Sequence, residues 1–155
     1  MSRKKIVFAI DKLGMGGAEN MLIEQIKAID KTTFQVFLIT IFPNPSINLK
    51  HKIVSDVIYI PFHFSGPFSG LLDIRSWWKL FTFFWKEKFG AVVTSLFITN
   101  TIVRTVATLA HVPVILSSEL NISEDKHRWQ IIIDKTLARF TKKILVSSID
   151  VLEFT

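Results

Sequence analysis

Six apolar, largely β-branched runs punctuate the chain: KIVFAI (5–10), QVFLITIF (35–42), DVIYIP (56–61), AVVTSL (91–96), VPVILSS (112–118) and KILVSS (143–148). Within each run the apolar positions are continuous rather than alternating, as in strands buried on both faces. Between most of them the period becomes helical. Over 17–30, Ala18, Met21, Leu22, Ile26 and Ile29 fall at i, i+3, i+4 spacing, and only Gln25 breaks the stripe. Strand alternating with helix predicts an α/β fold, a parallel sheet of about six strands with right-handed crossovers and helices on both faces. FPNPS (42–46) and PFHFSGPFSG (61–70) read as loops, and neither looks like a domain linker. With 155 residues, 49% of them hydrophobic, residues 1–155 read as a single domain with a substantial core.

The stretch LLDIRSWWKLFTFFWKEKFG (71–90) departs from this economy. At 100° per residue its aromatic and aliphatic side chains cover well over half of a helix. Arg75, Lys79, Thr82 and Lys86 remain as a narrow basic strip. Packing on a sheet needs a much narrower stripe, so the surplus must face something else. The reading preferred here is a membrane interface, with Trp77, Trp78, Phe81 and Trp85 at headgroup level and Arg75, Lys79, Lys86 and Lys88 meeting anionic lipid. A helix covered on its second side by another domain or a partner is the alternative. Nucleic acid is not expected, because single-strand stacking platforms are normally sheets or grooves.

Composition narrows the chemistry. There is no cysteine, which excludes disulfides, thiolate metal sites and thiol nucleophiles and fits a reducing cytoplasmic setting. Of the net charge of +6, most sits in 126–143, where six Lys/Arg face one acid; an anionic neighbour and a solvated helix face explain this about equally well. The basic start MSRKK precedes an apolar run too short for a signal peptide. Arg104, His111 and Pro113 interrupt the one weakly polar stretch (96–116), so no membrane span is expected. No metal is expected either: D-x-D and H-E-x-x-H are absent, and His51, His63, His111 and His127 are scattered. GPFSG is not the G-x-S-x-G of a serine hydrolase.

The remaining signal is KLGMGGAEN (12–20), which holds three of the six glycines directly after the first strand and before an amphipathic helix. In a parallel sheet this turn lies at the carboxyl edge, where ligands bind. Glycines there allow positive φ and close backbone approach, and the helix N-terminus attracts anions. Gly14, Gly16 and Gly17 are therefore candidates for a phosphate-facing loop, against a plain strand-to-helix turn. The dinucleotide pattern fails, with Glu19 in place of the third glycine and no acid closing the second strand; the Walker pattern is absent. An acid at Glu19 suits the first helical turn, which makes it structural rather than catalytic.

KIVFAIDKLGMGGAENMLIEQIKAI resembles the opening of the family 4 glycosyltransferases of GT-B fold, which run strand, Gly-Gly-Ala-Glu turn and amphipathic helix in that order. GAVVTSLFITNTIVRTVATLAHVPVILSSELN and LARFTKKILVSSIDVLEF are similar to later segments of the same domain, so order and spacing match over essentially the whole chain. The resemblance implies a Rossmann-like, acceptor-side half-domain. Its glycine loop (Gly16 and Gly17, with Gly14 supporting the turn) lines a cleft near the diphosphate of a nucleotide-sugar, which is a substrate; no cofactor is implied. The acceptor would be a saccharide or a lipid-linked molecule, the chemical step metal-free, and the location cytoplasmic with peripheral contact at the inner face of the membrane. The chain departs from the family where a sugar-facing histidine is usual: the segments read VVTSLFITN and SSELN, with Leu120 in its place. Glu119 and Asn121 flank that position and could bind an acceptor hydroxyl or simply close the strand. No NG-[VI]-D crossing and no E-x7-E element follow, so transfer is expected to need a donor-binding half or a separate catalytic subunit. The alternative is a non-catalytic membrane-docking scaffold that recruits a catalytic partner.

Overall fold

A computed structural model describes residues 3–14, 16–42, 56–66, 69–119 and 128–146. In it β1 (Lys4–Ile10), β2 (Phe34–Thr40), β3 (Val57–Pro61), β4 (Ala91–Ser95), β5 (Ile115–Glu119) and β6 (Lys143–Val146) form one sheet in the order β3-β2-β1-β4-β5-β6. Every pairing is parallel. The α-helices among the described residues are α1 (Gly17–Ala28), α2 (Ile74–Glu87), α3 (Phe97–Leu109) and α4 (Arg128–Ala138), and a short 3-10 turn (Ser69–Leu72) precedes α2.

The chain enters the sheet at β1, builds outward through β2 and β3, and then returns to β4 on the other side of β1. Right-handed crossovers turn that reversal into two layers. On one face Leu22, Ile23 and Ile26 of α1 pack on Ile6, Phe8, Val36, Leu38 and Val93. On the other, Leu80 and Phe84 of α2 and Ile102, Val103 and Val106 of α3 pack on Val7, Ala9, Phe37, Ile39 and Val92. The register Val7↔Val92 and Phe8↔Val93 keeps each set on its own side. With both faces covered, the middle positions of the central strands are apolar on both sides and their sequence does not alternate, while polar residues such as Thr40, Thr94 and Ser95 gather at the strand ends.

α3 lies between α2 and α4, so it is apolar or neutral over most of its circumference. Its threonines are compatible with that burial because their hydroxyls bond one turn back: Thr101 to the Phe97 carbonyl (3.0 Å), Thr105 to Thr101 (2.7 Å) and Thr108 to Arg104 (2.8 Å). The weakly polar stretch 96–116 is thus a buried helix followed by a buried strand. Among the described residues no helix is long and apolar enough to cross a membrane. α2 starts at Asp73, whose carboxylate accepts the Ser76 N–H at 3.1 Å. It stops at Lys88, which takes the left-handed conformation at φ 52°.

Candidate functional site

Where the strand order reverses, the chain leaves β1 toward α1 on one face and β4 toward α3 on the other. The carboxyl ends of these two neighbouring strands therefore bound a crevice, the place where open α/β sheets bind ligands. Leu96 makes the second turn with φ 72° and ψ 147°, a costly conformation for a branched residue. It offers α3 no side-chain cap. The cap comes from across the crevice: the Asp11 carboxylate accepts both the backbone N–H of Thr99 (3.1 Å) and its hydroxyl. Burial pushes the Asp11 carboxyl above its ordinary 3.8; the Thr99 bonds and Lys12 oppose this, and the Glu19 carboxylate adds to it.

The glycine loop lies where the sequence placed it, but positive φ does not explain it. Among the described residues only Gly66 is a glycine at positive φ, and Gly16 caps α1 in extended conformation at φ −84°. The requirement is space. The buried Glu19 side chain folds back over the loop, so a Cβ on Gly14 would lie 3.1 Å from its Oε1, and one on Gly16 would overlap its Oε2. Gly17 is exposed and faces open space. The obstacle is the far end of a flexible side chain, so Gly16→Ala is expected to cost only about 0.5–1 kcal/mol as Glu19 shifts off its rotamer, and to cost less in a Glu19→Ala background. Additive costs in a double-mutant cycle read by urea unfolding would show that Glu19 is not the obstacle.

The floor of the crevice is polar. Thr94 and Ser95 end β4, Ser117 and Ser118 lie beside them in β5, and Asn100 follows in α3; all are buried. The Thr94 hydroxyl reaches the Leu116 carbonyl at 3.3 Å, whereas the Ser117 and Ser118 hydroxyls have no hydrogen-bond partner among the described residues. Buried unsatisfied hydroxyls are rare enough to need a reason, and here they cluster at the carboxyl edge of the sheet.

Glu119 closes β5, paired in register with Val146, while Asn121, Leu120, His51 and His127 lie outside the described residues. Among the described residues no group of three His, Asp or Glu is placed to hold a metal, and His63 and His111 are exposed. In the basic segment, Lys135, Arg139, Lys142 and Lys143 are exposed, and Asp134 turns inward to Arg104. On α2, Trp77 is half-buried edge-on to Phe64, while Trp78, Trp85, Arg75, Lys79 and Lys86 are exposed and Phe81 lies between the two exposed tryptophans. The sequence reading missed Asp11. Its one visible signal was an acid directly after the apolar run IVFAI.

No protein-family model matches the chain, and no curated protein does. Among solved structures, Acinetobacter baumannii MurG superposes with a TM-score of 0.64 at 14% identity, covering 94% of this chain and 41% of that one. Phytolacca americana UGT2, in complex with UDP-2-fluoro-glucose and pterostilbene, superposes with a TM-score of 0.56 at 17% identity, covering 79% and 32%. The fold is that of a GT-B amino-terminal domain. The chain spans less than half the length of either neighbour. Within GT-B, the likeness to family 4 rests on the sequence elements quoted above.

Proposed function

We propose that this chain is the acceptor-binding half of a glycosyltransferase. It would act with a donor-binding half, supplied by a further domain or a separate catalytic subunit, to move a sugar from a nucleotide-diphospho-sugar to a saccharide or lipid-linked acceptor, in polysaccharide or glycolipid synthesis. The observation that carries this reading is the crevice at the strand reversal. Two helix N-termini converge there over a polar floor, and the backbone at Gly17 is exposed and faces open space. In this reading Gly16 and Gly17 face the donor diphosphate and Gly14 supports the turn. Glu119 and Asn121, at and just after the end of β5, take an acceptor hydroxyl. The reading needs no metal, since backbone N–H groups and the donor half meet the charge of the leaving diphosphate.

Titrating uridine diphosphate into isotope-labelled chain is expected to shift the amide signals of Gly14, Gly16 and Gly17, with an affinity of about millimolar for half a site. Shifts that avoid the loop, or none at saturating nucleotide, would remove the loop from the donor site. The exposure of Trp78 and Trp85 favours a second reading, a non-catalytic scaffold of the same fold that brings a catalytic partner to a membrane. A loop silent to nucleotide, in a chain that binds vesicles, is the result that reading requires.

A further inference from the structure

We infer that α2 is a docking helix for an anionic lipid surface, and that a basic cleft formed by the start of β1 and the end of α2 extends the contact onto lipid phosphates. The surface stands whether or not the crevice handles a sugar nucleotide.

Leu80 and Phe84 of α2 are fully covered and Trp77, Phe81 and Phe83 pack partly against the same core, but Ile74 is 79% exposed, Trp78 66% and Trp85 57%. The exposed rings are already ordered. Trp78 and Phe81, and Phe81 and Trp85, each stack at 5.9 Å between centroids with tilts of 37° and 32°, forming one continuous ridge along the helix. At 100° per residue the strip of Arg75, Lys79 and Lys86 runs directly beside that ridge, so the solvent side of α2 is half aromatic and half cationic. Nothing acidic interrupts it. The Asp73 carboxylate is held by Ser76 and Ser65, and Glu87 is paired with Lys5 at 2.7 Å.

A second feature, invisible in the linear sequence, continues this chemistry. The Gly90 N–H bonds the Lys5 carbonyl at 2.9 Å, which sets the start of β1 against the end of α2. Arg3, Lys4, Lys5 and Lys88 then line one cleft in which Glu87 is the only acid. Lys86 stands next in sequence and lines the groove beside Trp85. Aromatic rings favour headgroup depth, and each cation near an anionic leaflet adds affinity. The charge pattern chooses the occupant: a second copy docked on this face would set two basic strips against each other, whereas a sheet of lipid phosphates complements every cation.

Flotation with vesicles of neutral phosphatidylcholine, and of phosphatidylcholine mixed with phosphatidylglycerol, tests the inference directly. The whole chain is expected to float with the anionic vesicles only, with a blue shift of tryptophan emission and release by salt. Lys79→Gln with Lys86→Gln should weaken binding roughly twenty-fold, about fivefold per cation. Trp78→Ser with Trp85→Ser should abolish the blue shift. Both pairs replace exposed side chains, so unchanged circular dichroism is the control for folding. Equal binding to neutral vesicles, no binding by the folded chain, or a dimer that the tryptophan pair dissolves would each overturn the proposal. None of these bears on the amide response of the glycine loop, so the two readings fail separately.

Discussion

Replacing Arg104 with alanine is expected to cost about 3 kcal/mol, the usual penalty for breaking a buried ion pair, and to loosen the β6 edge of the sheet. Arg104 is 2% exposed in the middle of α3. One guanidinium nitrogen meets Asp134 of α4 at 3.4 Å, and its Nε donates to the Thr141 hydroxyl at 3.0 Å, two residues before β6. A single cation thus ties α4 and the approach to β6 to α3. Without it the Asp134 carboxylate stays partly buried and loses that cation, while the cavity left in α3 adds its own cost. For a domain of this size, 3 kcal/mol corresponds to a fall of about 6–12 °C in Tm. Arg104→Met combined with Asp134→Leu should recover most of the loss, because apolar residues of similar volume often replace a buried pair without penalty. An Arg104→Ala chain that melts with the wild type would show that the α4–β6 edge is held by other contacts.

The strands were legible because burial on both faces leaves a continuous apolar run, and the ends that were misplaced have local causes. The run starting at Val112 overshoots β5, which begins at Ile115. Val112 is buried, but its N–H closes the end of α3 on the Ala107 carbonyl at 2.9 Å, and Pro113 has no N–H to give a ladder. The aromatic surplus of α2 was visible in composition, but its division was not. Phe83 sits at the margin of the buried stripe on a helical wheel, beside Ser76 and Leu80, and it is packed, edge-on to Phe37 at 6.3 Å and against Phe62 and Phe89. Only the neighbouring strand and loop could reveal that. The glycine loop lies in the turn between the first strand and the first helix, but backbone freedom is a property of one residue, whereas the carboxylate that fills the space over Gly16 arrives from Glu19, one helical turn away. The Asp11–Thr99 contact joins residues 88 apart, and no local pattern encodes it.

That contact carries the second large effect. Asp11→Ala is expected to cost about 2 kcal/mol, since the buried Thr99 N–H and hydroxyl both lose their acceptor. Asp11→Asn keeps an acceptor at the same place and removes the charge, so its consequence depends on pH. Burial raises the Asp11 carboxyl above 3.8 in the folded chain. Below 3.8 both folded and unfolded chains hold the proton. As pH rises through the window between the unfolded and folded values, the unfolded chain releases its proton first, and the native state loses stability; above the folded value the penalty is constant. The wild type should therefore lose ground to Asp11→Asn as pH increases across that window and stay level beyond it. Urea midpoints of the two proteins from pH 3 to 7 isolate the effect, because every other carboxylate titrates in both. A wild type that instead gains on the asparagine variant as pH rises would mean that the Thr99 hydrogen bonds outweigh desolvation, and that the carboxylate spanning the crevice is a stabilising clamp between the two helix N-termini.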